Sequence, residues 1–306
     1  VSLSGNFAFE RNGGDTHIVA DNVSAILSTG TFKVGVQGAG LGLLLKADGT
    51  RAVETNGGTL VLEGAGFLCS ADEIKLLINE TGLGLGSQSV SAGGTSFGFQ
   101  ELPASTTVRA ISVKGLLAEY GGFVSLGGDF GFGKFGDEVR AVASGASAKL
   151  TAGGFSVGVT NGELGLVVTS AGTTALEASG SVELIGGGFA SVTATEVLVR
   201  YNNTNVEYTG QSVTVGDLSH TFGDMPASTT LRAVSVVGLS ADFGGFVTLT
   251  GDYGFVKDGD TIKVAASGGG AKLTAGAFEV GVTGASLGLV INTVDNTKAL
   301  EAFGSL

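Results

Sequence analysis

Along almost the whole chain, apolar residues alternate with small or polar ones at a period of two. In the segment 246–255, Val247, Leu249, Tyr253 and Phe255 fall on one side and Thr248, Thr250 and Asp252 on the other. Alternation carried by Val, Ile, Leu, Phe and Thr predicts strands, and no apolar stripe at helical spacing interrupts it, so helices are expected to be essentially absent. Turn chemistry punctuates the strands at Ala47-Asp48-Gly49-Thr50, Gly121-Gly122, Gly186-Gly187-Gly188, Gly244-Gly245 and Asp258-Gly259-Asp260. Asp-Gly and Gly-Gly pairs supply the positive φ that tight hairpins need.

The alternation changes parity inside the longer segments. In 231–243 the apolar set is Val234 and Val236, then Leu239, Ala241 and Phe243, and the change falls at Val237-Gly238. Phe278, Val280 and Val282 likewise give way to Ala285, Leu287, Leu289 and Ile291. A flip at glycine predicts a bulge or bend, read here as the point where one segment passes from one sheet layer to another.

The chain repeats. Pro103-Ala-Ser-Thr-Thr-Val-Arg-Ala returns as Pro226-Ala-Ser-Thr-Thr-Leu-Arg-Ala, 123 residues on, and Phe32-Lys-Val-Gly-Val returns at Phe155 and Phe278. Residues 103–168 and 226–291 are identical at 42 of 66 positions. This gives copies over 1–123 and 124–246 and a partial copy over 247–306. The loop 169–175 is one residue longer in the third copy, at 292–299. Insertions gather at exposed loop tips, so this segment is expected to be a surface turn.

About seven strand segments fill one period, close to the coil length of a narrow β-solenoid. An odd number of antiparallel strands would invert every second copy. Either the irregular stretch 202–222 contributes an extra strand, or the coils are parallel. The expected fold is all-β: an elongated, stacked two-layer structure, β-solenoid-like with hairpin turns, with strand direction open. Val1 matches Val124 and Val247, each preceded by Gly-Gly-Phe within a predicted strand, and residues 299–306 break off where the second copy continues. With no polar cap at either end, the residues read as a window on a longer array.

Composition narrows the function. The chain is 43% hydrophobic and only 14% charged, which excludes disorder. Its longest apolar run, 34–45, is broken by Gly35, Gln37, Gly38, Gly40 and Gly42, so no transmembrane helix fits. A net charge of −12 without a basic cluster disfavours nucleic acid as a partner. A single cysteine excludes a disulfide framework and multi-cysteine metal sites.

A catalytic site in an array should show as a departure of one copy from the others. Cys69 stands where the next copy has Val192, as a small core hydrophobe would; His17 matches Arg140 and Lys263, a solvated basic position; His220 matches Phe97. Two lone histidines in different contexts and one cysteine do not make a triad or a metal cluster. The carboxylates recur in register: Glu54, Glu177 and Glu301; Glu73 and Glu196; Glu119 and Asp242; Asp129 and Asp252. A periodic row of acids suggests solubility, protection of sheet edges or weak cation binding rather than the paired carboxylates of glycan cleavage. The turns at Asp15, Asp137-Glu138 and Asp258-Gly259-Asp260 offer oxygens for Ca²⁺, but position 14 of the period is Gly14 in the first copy. Gly38-Ala-Gly-Leu-Gly is no phosphate loop, since no helix follows. Asn22-Val-Ser, Asn79-Glu-Thr and Asn202-Asn-Thr fit the glycosylation triplet, which short chance matches also produce. No catalytic, cofactor-binding or metal residue is assigned.

The motifs Ala175-Leu-Glu-Ala-Ser-Gly and Val282-Thr-Gly-Ala-Ser-Leu-Gly-Leu-Val resemble the repeat regions of very large bacterial surface and secreted proteins of the adhesin or fibre kind. That resemblance implies an extracellular or cell-surface stalk, fibre or sheath that self-associates along its axis, touches cell surfaces or glycans, and has no cofactor or catalytic activity. Two other readings stand beside it. One is a carbohydrate-binding or carbohydrate-active β-solenoid, which would want exposed aromatics where the chain has no Trp and 4 Tyr. The other is an outer-membrane β-barrel, which would want aromatic girdles and a lipid-facing belt.

Overall fold

The computed structural model describes residues 2–29, 32–64, 67–100, 102–104, 107–186 and 190–306; Val1, Gly187 and Gly188, used in the sequence comparison, lie outside them. The protein is all-β, with no helix among these residues. The first-copy strands are β1 (Ser2–Asn12), β2 (Asp15–Thr29), β3 (Phe32–Leu45), β4 (Arg51–Gly64), β5 (Phe67–Ala71), β6 (Glu73–Asn79), β7 (Ser89–Ala92), β8 (Thr95–Gly98) and β9 (Val108–Tyr120). The second copy supplies β10 (Val124–Phe135), β11 (Glu138–Ala152), β12 (Phe155–Val168), β13 (Thr174–Gly186), β14 (Ala190–Asn202), β15 (Ser212–Val215), β16 (Leu218–Thr221) and β17 (Leu231–Phe243). The third supplies β18 (Val247–Asp258), β19 (Thr261–Ala275), β20 (Phe278–Asn292) and β21 (Thr297–Ser305). The turns at 47–50, 121–122, 244–245 and 258–260 fall between strands, as does the segment that gains a residue at 292–299.

The chain forms two compact units, 1–144 with 167–170 and 213–220, and 145–166 with 171–212 and 221–306. This division cuts through β11 and β12 and differs from the sequence period. In the first unit β1, β2, β3, β4, β6, β9 and β10 pair in succession, every pair antiparallel. β5 continues the line of β6 between β4 and β9. In the second unit β13, β14, β17, β18, β19, β20 and β21 form the same kind of meander. Strand direction is therefore antiparallel, and the parity question has a physical answer. The irregular stretch makes a separate two-stranded hairpin, β7–β8 or β15–β16, that stands outside the ladder. Six antiparallel steps lead from β1 to β10, an even number, so β10 runs in the direction of β1.

The parity flips are bulges, but they do not carry a strand into another layer. β17 stays on β18 throughout: Val234 faces Phe255, Val236 faces Tyr253, Leu239 faces Gly251 and Ala241 faces Leu249. Val237 and Gly238 together oppose Asp252 alone, and Gly238 holds φ 62. The extra residue keeps both halves of β17 in step with β18, whose own alternation never breaks. Its effect is to hold the apolar residues on one face for the full strand length. β9 and β10 repeat the arrangement at Lys114-Gly115 opposite Asp129.

Each unit consequently has one continuous apolar sheet face. In the first unit it carries Leu3, Phe7 and Phe9 of β1, Leu27 of β2, Leu76 of β6, Ile111 and Tyr120 of β9, and Leu126 and Phe132 of β10, all substantially exposed. The opposite face is built differently. Over half of the strand length it is covered by the β7–β8 hairpin, which packs on β1, β2 and β3. Beneath that second layer lie Val19 and Leu44, and the same half of the face carries the buried residues Ala52, Leu77, Val108 and Ala110. Gly42 is small for a reason: a Cβ there would sit 2.3 Å from the Phe97 ring of β8. β15–β16 repeats the device within the first unit, where a Cβ on Gly131 of β10 would come within 2.9 Å of Val215.

Candidate functional site

The buried polar side chains gather where the hairpin excursions leave and rejoin the sheet. At the end of β6, Asn79 is wholly buried. Its Nδ2 donates to the carbonyls of Leu83 and Pro103 at 2.8 and 3.0 Å. Its Oδ1 accepts from the backbone N–H and the hydroxyl of Thr81. Asn202, at the end of β14, does the same with Val206, Pro226 and Thr204. Four bonds are the full capacity of an amide, so each asparagine ties both feet of its excursion to the sheet. These asparagines begin two of the Asn-x-Thr triplets. Their burial leaves no side chain for a glycan, and the threonine serves the asparagine directly.

The register carboxylates are also bound into the fold. Glu54 of β4 has no exposed surface and accepts the Gln100 N–H at 3.0 Å, just beyond β8. Glu177 of β13 accepts the Gly223 N–H at 3.0 Å and the Arg200 Nε–H at 2.6 Å. Glu301 of β21, the third-copy equivalent, is exposed. The Asp129 and Asp252 carboxylates each take a bulge N–H, that of Gly115 and of Gly238, at 2.7 Å. Asp242 takes the Gly245 N–H in the turn, and Glu73 takes that of Gly57. For the pairs Glu54 and Glu177, and Asp129 and Asp252, register in the sequence thus reflects repeated support of backbone donors.

The acidic turns are engaged in the same way. Asp15 accepts from the Ala47 N–H and from Lys46, which together hold its pKa below the usual carboxylate value, the backbone bond contributing most. Glu138 pairs with Arg140, whose guanidinium lies 4.7 Å over the Phe135 ring. Asp258 accepts from the hydroxyls of Ser228 and Thr230. Ser228 in turn accepts from the N–H groups of Thr230 and Leu231, which explains the second Pro-Ala-Ser-Thr-Thr motif as the brace that returns the chain to β17. Among the described residues no three metal-ligating side chains gather.

The singletons are scattered. Cys69 lies on the apolar face of β5 opposite Leu62 and Ala118, and burial raises its thiol pKa. His17, on β2, faces Glu10 and Leu44 across the ladder and helps to lower the Asp15 pKa. His220 is a buried residue of β16, in the position that Phe97 has in β8.

Two cavities recur one period apart. One, of about 390 Å³ in the first unit, is lined by Leu77, Leu102, Pro103, Phe135 and Arg140. The other, of about 420 Å³ in the second unit, is lined at the matching positions by Arg200, Pro226, Asp258 and Lys263, with Asp224. The second presents both signs of charge around an apolar floor of Leu231 and Val256. Neither contains a nucleophile hydrogen-bonded to a base. The alternating pattern gave no sign of the asparagine clamps; the available signal was that Asn79 and Asn202 lie 123 residues apart while Asn22 has Gly145 as its counterpart. Compared with protein-family models, with curated proteins and with solved structures, the chain matches none.

Proposed function

We propose that this protein is a structural building block, a segment of an extracellular or cell-surface fibre, stalk or sheath assembled from tandem β repeats, without catalytic activity or cofactor. The observation that carries this reading is the fate of the recurring polar groups. Glu54 and Glu177, and Asn79 and Asn202, each bind backbone of their own repeat, while Asp129 and Asp252 each bind the bulge backbone of the preceding one. What repeats along the chain is therefore support for the scaffold, while the large exposed feature of each unit is an apolar sheet face suited to association. Electron microscopy and sedimentation of the purified chain test the proposal. Concentration-dependent, regular assemblies are expected, and a protein that stays monomeric under all conditions overturns it.

A second reading has one observation in its favour. The cavity lined by Arg200, Asp224, Asp258 and Lys263 combines charged hydrogen-bonding groups with an apolar floor, the chemistry that a sugar's hydroxyls and C–H faces require. Screening against immobilised glycans decides it: binding lost in Arg200→Ala and Lys263→Ala supports a glycan-contact role, and an empty screen removes it.

A further inference from the structure

We infer that the apolar face of the first unit is covered by the same face of a second copy of this chain, the two sheets stacking as a sandwich with their strands antiparallel. The inference rests on the assembly reading and names the surface that would serve it.

Area comes first. Leu3, Phe7, Phe9, Leu27, Leu76, Ile111, Tyr120, Val124, Leu126 and Phe132 share this face, and each exposes between 36% and 68% of its surface. At roughly 200 Å² for a large apolar side chain, they present about 1,000 Å². A standard interface takes about 800 Å² from each partner, and the largest apolar patch on an ordinary monomer is about 300–600 Å². The face alone is large enough for a stable dimer.

Relief and charge indicate the partner. Cross-strand rows mix large and small residues, as in Leu27, Val34, Leu62, Cys69, Ala118 and Leu126, so the face has ridges and hollows that an identical face can fill. One end of the strands carries a basic row on this face, Arg11, Arg51, Arg109 and Lys134, with Glu80 bridging Arg51 and Arg109 and Asp137 beside Lys134, so that the row keeps a net positive charge. The other end is aromatic and uncharged. Tyr120 lies between Phe67 and Phe123, with ring centres 6.5 and 5.3 Å away. Stacking two copies with parallel strands would set basic row against basic row. A two-fold axis between the sheets and perpendicular to the strands instead lays each basic row over the partner's aromatic end, where cations are attracted to ring faces.

The chain contains one cysteine, Cys69, and it lies within this face, which supplies a probe that needs no substitution. The experiment measures sedimentation of the chain over a concentration series together with the rate at which Cys69 reacts with a disulfide reagent such as DTNB. The expected result is a monomer–dimer equilibrium in which thiol reactivity falls at least tenfold as dimer forms. Phe132→Asp and Leu126→Asp should each weaken association at least a hundredfold and restore the thiol rate. Leu117→Asp, on the opposite face and 64% exposed, should leave both unchanged. Circular dichroism checks that the variants fold. Association that persists in Phe132→Asp and Leu126→Asp with Cys69 still reactive overturns this interface while leaving the assembly reading intact. A monomer at every concentration overturns both. Protection of Cys69 by phosphatidylcholine vesicles, but not by rising protein concentration, overturns it in favour of a lipid surface.

Discussion

Replacing Asn202 by aspartate tests the clamp at the foot of the second excursion with an almost isosteric change. The acceptor side survives, because one carboxylate oxygen can still take the N–H and hydroxyl of Thr204 at 3.0 and 2.8 Å. The donor side is lost: an oxygen replaces Nδ2 and faces the carbonyl oxygens of Val206 and Pro226, each 2.8 Å from that position. Two part-buried bonds are removed and two carbonyls lose their donor, at about 1–3 kcal/mol apiece, so the loss is about 2–6 kcal/mol. That is a large part of the roughly 5–15 kcal/mol that stabilises a typical domain. The loss should also depend on pH. Burial and the two carbonyl neighbours raise the introduced carboxyl's folded-state pKa above its unfolded value of about 3.9. The deficit relative to wild type is therefore smallest below that unfolded value, grows as pH rises toward the folded-state pKa, and is constant above it. Urea denaturation of wild type and variant across a pH series measures this. A deficit that does not change with pH, or a midpoint equal to wild type at neutral pH, would refute the clamp. Asn79→Asp offers an independent repeat, since its four bonds are the same.

Other consequences follow from the same packing. Gly42→Ala should destabilise the first unit by about 1–3 kcal/mol, because its methyl meets the Phe97 ring; Phe97→Leu in the same chain should recover part of the loss in thermal melts. Asp252→Ala should cost about 1–2 kcal/mol by leaving the Gly238 bulge N–H without its acceptor, whereas Asp252→Asn should be nearly neutral, since the first copy has Asn6 at this place; equal losses for the two would contradict the capping role. Cys69→Val should leave folding and assembly intact, as Val192 occupies the matching position; loss of assembly would show that the comparison between copies misleads. Arg109→Gln should let the Glu80 pKa rise toward the ordinary carboxylate value, since the hydrogen bond from Arg109 is the main cause of its depression, as carboxyl chemical shifts can measure.

The repeat, the strands and most turns were legible because each is a local matter: period-two alternation, Asp-Gly and Gly-Gly pairs, and one inserted residue at 292–299. The bulges at Val237-Gly238 and Lys114-Gly115 were legible as parity changes, but their meaning was not. A flip in one strand has two explanations, a change of sheet or an extra residue against a constant partner. Only the register of Leu239 on Gly251 and Ala241 on Leu249 separates them. The polar network was hidden for a related reason. Asn202 bonds Pro226 and Glu177 bonds Gly223, pairs distant in sequence. Nothing in the alternation distinguishes a carboxylate that faces water, such as Glu301, from its equivalent beneath a hairpin, such as Glu54.

That contrast between equivalent residues bears on how the repeat works. A glutamate at this position is tolerated under the hairpin because the returning chain brings a backbone donor to it, Gln100 in the first copy and Gly223 in the second. The hairpin, its asparagine clamp and its carboxylate are expected to act as one cooperative set, in which loss of the clamp would free the hairpin, expose Val19 and Leu44 and release the donor from the carboxylate. The covered face is therefore completed within each of the first two copies. The apolar face has no comparable covering among the described residues, since Phe9 and Phe132 remain more than half exposed. A bulge that keeps Leu239 and Ala241 in line with Val234 and Val236 preserves one apolar strip along β17, the relief that the proposed association of sheet faces would use.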